Sequence, residues 1–169
     1  MTSPTPKGNK FCNAALRVAN LDRSASFYAD VLGMKELHRT ALEKTDLVFL
    51  GYPDSFDANT PLSRREGVLE LVAKKNSYED GGNAHYHSNS GFIKLAFHVS
   101  NLPEFMKRVR EKDVKVVKEA GASDAPQAVA SFLHCEPADL RSDTALWEAL
   151  KEVCFVEDPD GYLIEIVPY

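Results

Sequence analysis

Cysteine is scarce: Cys12, Cys135 and Cys154 are the only three in a chain of 169 residues. An odd, widely spaced set excludes a disulfide scaffold, gives no zinc-binding spacing and fits a reduced, cytoplasmic protein. A basic excess is missing too. Lys plus Arg is 20 against 25 for Asp plus Glu, a net charge of -5, which speaks against a nucleic-acid partner. Long apolar runs are absent, so no transmembrane helix and no membrane partner are expected. Residues 1–10 are polar, carry Pro4 and Pro6, and lack the apolar centre of a secretion signal; they read as a flexible arm. What remains is ordinary globular composition, 44% hydrophobic and 27% charged, enough for the core of a single domain over residues 11–169.

The apolar pattern predicts a first strand from Phe11 to Val18. Asp22 is the expected N-cap of a helix whose apolar residues Phe27, Tyr28, Val31 and Leu32 recur at helical spacing, and Gly33 is its stop. Strands are expected over 34–41, 45–52 and 67–73, with a loop rich in Pro, Asp, Ser and Asn over 53–65. A polar linker with Gly81-Gly82, His85, Tyr86 and His87 follows over 76–90. The pattern then restarts with a strand over 93–99. A helix opens at Asn101, with Pro103 in its first turn and Glu104 three residues after the cap. Strands over 114–118, 153–157 and 162–167 complete the chain.

This restart is an internal repeat. Arg17-Val-Ala-Asn-Leu21 matches His98-Val-Ser-Asn-Leu102 at an offset of 81 (98 less 17). Each copy ends on a strand with one carboxylate among apolar residues, Val68-Leu-Glu70-Leu-Val72 and Tyr162-Leu-Ile-Glu165-Ile-Val167, at an offset of 95 (165 less 70). The second copy therefore holds about 14 more residues, assigned to an insertion at about 120–150, with helix-like patches at 127–133 and 145–150. A wall over a pocket and a decorative surface loop are both open readings for it. The repeats run over about 11–75 and 91–169. Together they predict an α+β fold: two βαβββ modules forming a curved eight-stranded sheet, with helices on its outer side.

Side chains alternate along a strand. Asn13, Ala15 and Arg17 share one face of the first strand, and Lys94, Ala96 and His98 share the equivalent face of its repeat partner. The opposite faces, Ala14, Leu16 and Val18 and then Leu95, Phe97 and Val99, are apolar and should pack beneath the helices. Glu70 and Glu165 are flanked by Leu69, Leu71, Ile164 and Ile166, which belong in the core, so both carboxylates join the polar face. A single charge in a strand usually marks only a solvated face. Two carboxylates, an amide and an ammonium related by one repeat instead point to a site around a pseudo-twofold axis.

On these residues the sequence resembles the vicinal oxygen chelate superfamily, and within it the glyoxalase I (lactoylglutathione lyase) group. The stretches that carry the resemblance are Leu16 to Met34 (LRVANLDRSASFYADVLGM) and Phe155 to Ile166 (FVEDPDGYLIEI), supported by Gly67 to Leu71, Tyr86-His87 with Asn89, and Gly91-Phe92. The resemblance implies the glyoxalase/bleomycin-resistance fold and a homodimer with sites between subunits. It also implies a metal position built from Asn13, Glu70, Lys94 and Glu165, where the family uses His or Gln, Glu, His and Glu. Glu70 and Glu165 match. Asn13 is a weak neutral-oxygen ligand, and the ammonium of Lys94 has no lone pair to give a metal. Arg17 matches the arginine that grips the glycyl carboxylate of glutathione. The companion Asn of that grip is Lys74 here and the arginine from across the dimer is Ser90, so glutathione is not the expected partner.

The resemblance therefore implies proton transfer next to a carbonyl on a small organic substrate, a lyase, isomerase or dehydratase step. No metal and no cofactor are expected. Glu165 is the expected general base, Glu70 a second acid or base, and Lys94 the donor to a developing oxyanion. Asn13, Arg17 and His98 are the expected substrate-binding residues. Two rivals stay open: a lactoylglutathione lyase using zinc or nickel through Glu70 and Glu165, and a non-catalytic small-molecule-binding protein of the resistance type.

Overall fold

The computed structural model describes residues 11–57, 59–75, 92–122, 125–133 and 135–168. The arm over 1–10 and the linker residues His85, Tyr86, His87, Asn89 and Ser90 lie outside these residues. The chain divides into two compact units, Met1–Ala84 and His85–Tyr169.

The first unit holds strand β1 (Asn13–Arg17), helix α1 (Leu21–Asp30) and strands β2 (Lys35–Ala41), β3 (Thr45–Gly51) and β4 (Val68–Lys74). The expected loop over 53–65 contains two single turns of 3-10 helix, Pro53–Ser55 and Leu62–Arg64. The four strands form one sheet in the order β1-β4-β3-β2, with β1 parallel to β4 and the other pairs antiparallel. Helix α1 lies against β3 and β4 and buries Leu21, Ala25, Phe27 and Tyr28. Leu16, Val18, Val48, Leu50, Leu69 and Leu71 are buried as well and make up the rest of the unit's apolar core.

The cap of α1 differs from expectation. Asn20, not Asp22, is the N-cap, and its side chain accepts the Arg23 N–H at 2.9 Å. Asn20 has extended backbone while Asp22 already lies in the first turn, where its charge complements the helix dipole. The stop is as expected. Gly33 sits at φ +75°, its N–H bonds the Ala29 carbonyl and the next N–H, of Met34, bonds that of Tyr28. This left-handed ending favours glycine.

The second unit repeats the plan: β5 (Leu95–Val99), α2 (Leu102–Glu111), β6 (Val116–Lys118), β7 (Cys154–Glu157) and β8 (Leu163–Pro168), with sheet order β5-β8-β7-β6. Asn101 caps α2 as predicted, accepting the Glu104 N–H at 3.0 Å. Phe105, Met106 and Val109 are buried beneath it with Phe155, Val156, Ile164 and Ile166. Leu95, Phe97 and Val99 are only half-buried, against the expectation of full burial. Strand β1 holds the equivalent edge of its own sheet and does bury Leu16, so the two units differ at this face.

The two ladders share one register. Ala15 lies opposite Glu70 and Arg17 opposite Val72; Ala96 lies opposite Glu165 and His98 opposite Val167. These are the sequence offsets of 81 and 95 found again as pairing. The 14 additional residues are absorbed between β6 and β7, where the chain forms helices α3 (Pro126–Leu133), α4 (Pro137–Leu140) and α5 (Thr144–Ala149). Val129, Ala130 and Leu140 build a separate small core there, with Leu146, Trp147 and Leu150 packed against it.

Candidate active site

Each unit places one amine or amide beside one carboxylate across its parallel strand pair. In the first unit, Asn13 at the start of β1 donates from Nδ2 to Oε2 of Glu70 at 2.8 Å. Glu70 is half-buried between the fully buried Leu69 and Leu71, as the alternation requires. In the second unit, Lys94 immediately precedes β5 and its ammonium donates to Oε2 of Glu165. The side chains of Lys94 and Glu165 are 30% and 13% exposed. The pair is thus screened less than a surface ion pair while one side stays open to a ligand.

The backbone fixes Glu165 from both directions. Ile164 and Ile166 on either side are buried and hold the carboxylate on the opposite face. Upstream, the Asp158 carboxylate is buried and accepts the N–H groups of Asp160 at 2.9 Å and Tyr162 at 2.8 Å. Gly161 completes that turn at φ 85°, a conformation that favours glycine. The motif DPDG is therefore a rigid entry to β8, and Glu165 follows three residues after Tyr162.

Arg17 and His98 occupy equivalent exposed positions at the far ends of the same strand faces. The structure thus brings Asn13 to Glu70 and Lys94 to Glu165, and it puts Arg17 and His98 on the same strand faces as Asn13 and Lys94. Sequence reasoning missed Lys118. It ends β6 and is 2% exposed, with its three ammonium donors on the carbonyls of Glu119, Leu150 and Val153 at 3.0, 2.8 and 2.9 Å. A lysine at the end of a strand reads as solvated, and no sequence signal marks it otherwise.

The donor chemistry does not fit a resident divalent ion. Lys94 offers N–H donors and no lone pair, and it engages one of the two carboxylates. Asn13 turns its amide nitrogen toward the other. Among the described residues, no group of three or more His, Cys, Asp or Glu side chains is assembled that could hold a metal. What the second unit offers instead is a fixed cation touching a carboxylate, which can remove a proton and stabilise the charge that results.

Comparison with known proteins agrees with this architecture. The Glyoxalase/Bleomycin resistance protein/Dioxygenase superfamily matches residues 10–166. The chain is 32% identical to the lactoylglutathione lyase of Salmonella typhimurium over 161 residues, covering 94% of this chain and 91% of that protein. It is 30% identical to glyoxalase I of Saccharomyces cerevisiae over 171 residues, covering 96% of this chain and 44% of that one. Among solved structures it is similar to the trypanothione-dependent glyoxalase I of Leishmania major, with a TM-score of 0.63 and 27% identity, covering 95% of this chain and 87% of that one. The chain belongs to the glyoxalase/bleomycin resistance protein/dioxygenase superfamily, as an enzyme of its glyoxalase I-like group. No helix among the described residues is long and apolar enough to cross a membrane.

Proposed function

We propose that this chain catalyses proton transfer at a carbon next to a carbonyl of a small organic substrate without a metal, as a lyase, isomerase or dehydratase. The contact between the Lys94 ammonium and the Glu165 carboxylate carries this reading. A carbon acid next to a carbonyl loses its proton only if charge can flow to the carbonyl oxygen and be stabilised there. Substrate binding turns one of the three Lys94 donors from Glu165 to that oxygen. Glu165 then takes the proton from carbon as the oxygen becomes an enolate held by the ammonium. Where the carbon that lost its proton carries a hydroxyl, the hydroxyl proton passes to the enolate oxygen, the proton on Glu165 returns to the former carbonyl carbon and the carbonyl re-forms one carbon along, an isomerisation; where the next carbon carries a leaving group, the enolate expels it as the carbonyl re-forms, a lyase or dehydratase step. A donor aimed at a developing oxyanion contributes about 3 kcal/mol to such a barrier.

In this reading Glu70 serves as the second acid or base, and Asn13, Arg17 and His98 orient the substrate. The family resemblance supports a homodimer, and the three free cysteines support a cytoplasmic setting.

A lactoylglutathione lyase using zinc or nickel is the rival, favoured by the names of the relatives at 32% identity. The test is turnover across a panel of carbonyl substrates that includes the hemithioacetal of methylglyoxal and glutathione, with and without chelator. Activity untouched by chelator supports the proposal. Activity abolished by chelator and restored by zinc or nickel rejects it. A third reading, a non-catalytic binder, predicts ligand affinity with no turnover on any substrate.

A further inference from the structure

We propose that the helical insertion between β6 and β7 is a second ligand site, for a small aromatic carboxylate. A cleft of about 450 Å3 opens there, between the turn at Gly121 and helix α5, lined by Arg141, Thr144, Trp147, Glu148 and Lys151. That volume lies within the range of small-molecule sites.

The base of the cleft is pinned by hydrogen bonds. Its two lips are the chain leaving β6 and the end of α5. The buried ammonium of Lys118 bonds both, through the carbonyls of Glu119 on one side and Leu150 and Val153 on the other. The N–H of Gly121 adds a direct bond across the lips to the Lys151 carbonyl at 2.6 Å. From below, the small core of Val129, Ala130 and Leu140 supports Trp147. The indole Nε1 donates to the Leu140 carbonyl at 2.8 Å, which fixes the ring and satisfies its one polar atom. A ligand therefore meets the indole as an apolar, planar surface suited to an aromatic ring.

The charges select the other end of the ligand. Arg141 is exposed, and among the described residues its guanidinium has no ion-pair partner. Lys151 is partly neutralised by Glu148 at 3.6 Å. Two cations and one anion leave the lining with one net positive charge, which matches a monocarboxylate that Arg141 can engage with two parallel hydrogen bonds.

Trp147 is the only tryptophan of the chain, so its emission reports this cleft alone. The experiment is a titration of the intact protein with sodium benzoate, followed by tryptophan fluorescence. A saturable change is expected, with affinity about tenfold weaker in Arg141→Gln, in Lys151→Gln and for uncharged benzamide. Both substituted residues are exposed, so both variants should fold, and matching thermal unfolding confirms it. No saturable change up to the solubility limit of benzoate overturns the proposal. Equal affinity in Arg141→Gln, or equal affinity for benzamide, overturns it as well.

Discussion

The Lys94 ammonium donates directly to the Glu165 carboxylate, at the positions where relatives of this fold are expected to present metal ligands. If the ammonium takes over the electrophile's role, its charge matters more than its size. Lys94→Met should lower kcat about 100-fold with a smaller change in KM, because the lost interaction grows as charge develops on the substrate. Lys94→Arg should recover part of the loss. Steady-state kinetics on the first active substrate found decide this, and an unchanged kcat in Lys94→Met removes Lys94 from the mechanism.

Glu165→Gln keeps the shape of the side chain and removes its basicity. Turnover should fall by about two to four orders of magnitude, while ligand affinity measured by calorimetry stays within a few-fold. Full activity in this variant would assign the base elsewhere.

Asn13→Gln with Lys94→His restores the residue types that the family resemblance associates with a metal. Elemental analysis after dialysis should find zinc near stoichiometric in the double variant and well below it in the parent protein. Equal zinc in both would show that Lys94 does not keep metal out.

Lys118 binds three main-chain carbonyls with one buried ammonium. Lys118→Met fills the space but leaves those acceptors without their donor, at a cost of about 2–4 kcal/mol. Urea unfolding should show a lower midpoint with an unchanged slope. An unaltered midpoint would mean that water satisfies the carbonyls equally well.

Cys154 gives a pH dependence of known sign. It is fully buried, and desolvation, followed by the nearby Glu119 charge, pushes its thiol up from 9.0 to about 11. Between these values the folded chain keeps a proton that the unfolded chain releases. Stability therefore falls as pH rises through this window, by about 2–3 kcal/mol for this group alone. Cys154→Ala should show a shallower fall over the same range in denaturant titrations at several pH values. An identical slope in both proteins would contradict the assignment.

The repeat made most of the fold legible. Alternation around Leu16, Leu71 and Ile164 located the strands, and the matching offsets identified the residues that share a register. The carboxylates were legible because their neighbours are too apolar to face water. Helix starts were less so: Asn20 and Asp22 are both good caps, and only backbone conformation separates them. Lys118 was hidden because its burial depends on carbonyls up to 35 residues away. The cleft beside Trp147 was hidden for a similar reason. Its lips come together through contacts between the end of β6 and α5, which no local pattern in residues 120–150 encodes.

The matched pairing of the two ladders means that Asn13 and Lys94 hang from equivalent points of duplicated scaffolding. Asn13→Lys combined with Lys94→Asn would transplant the cation from one carboxylate to the other while leaving main-chain geometry alone. The repeat thus offers two equivalent sockets that differ in a single head group.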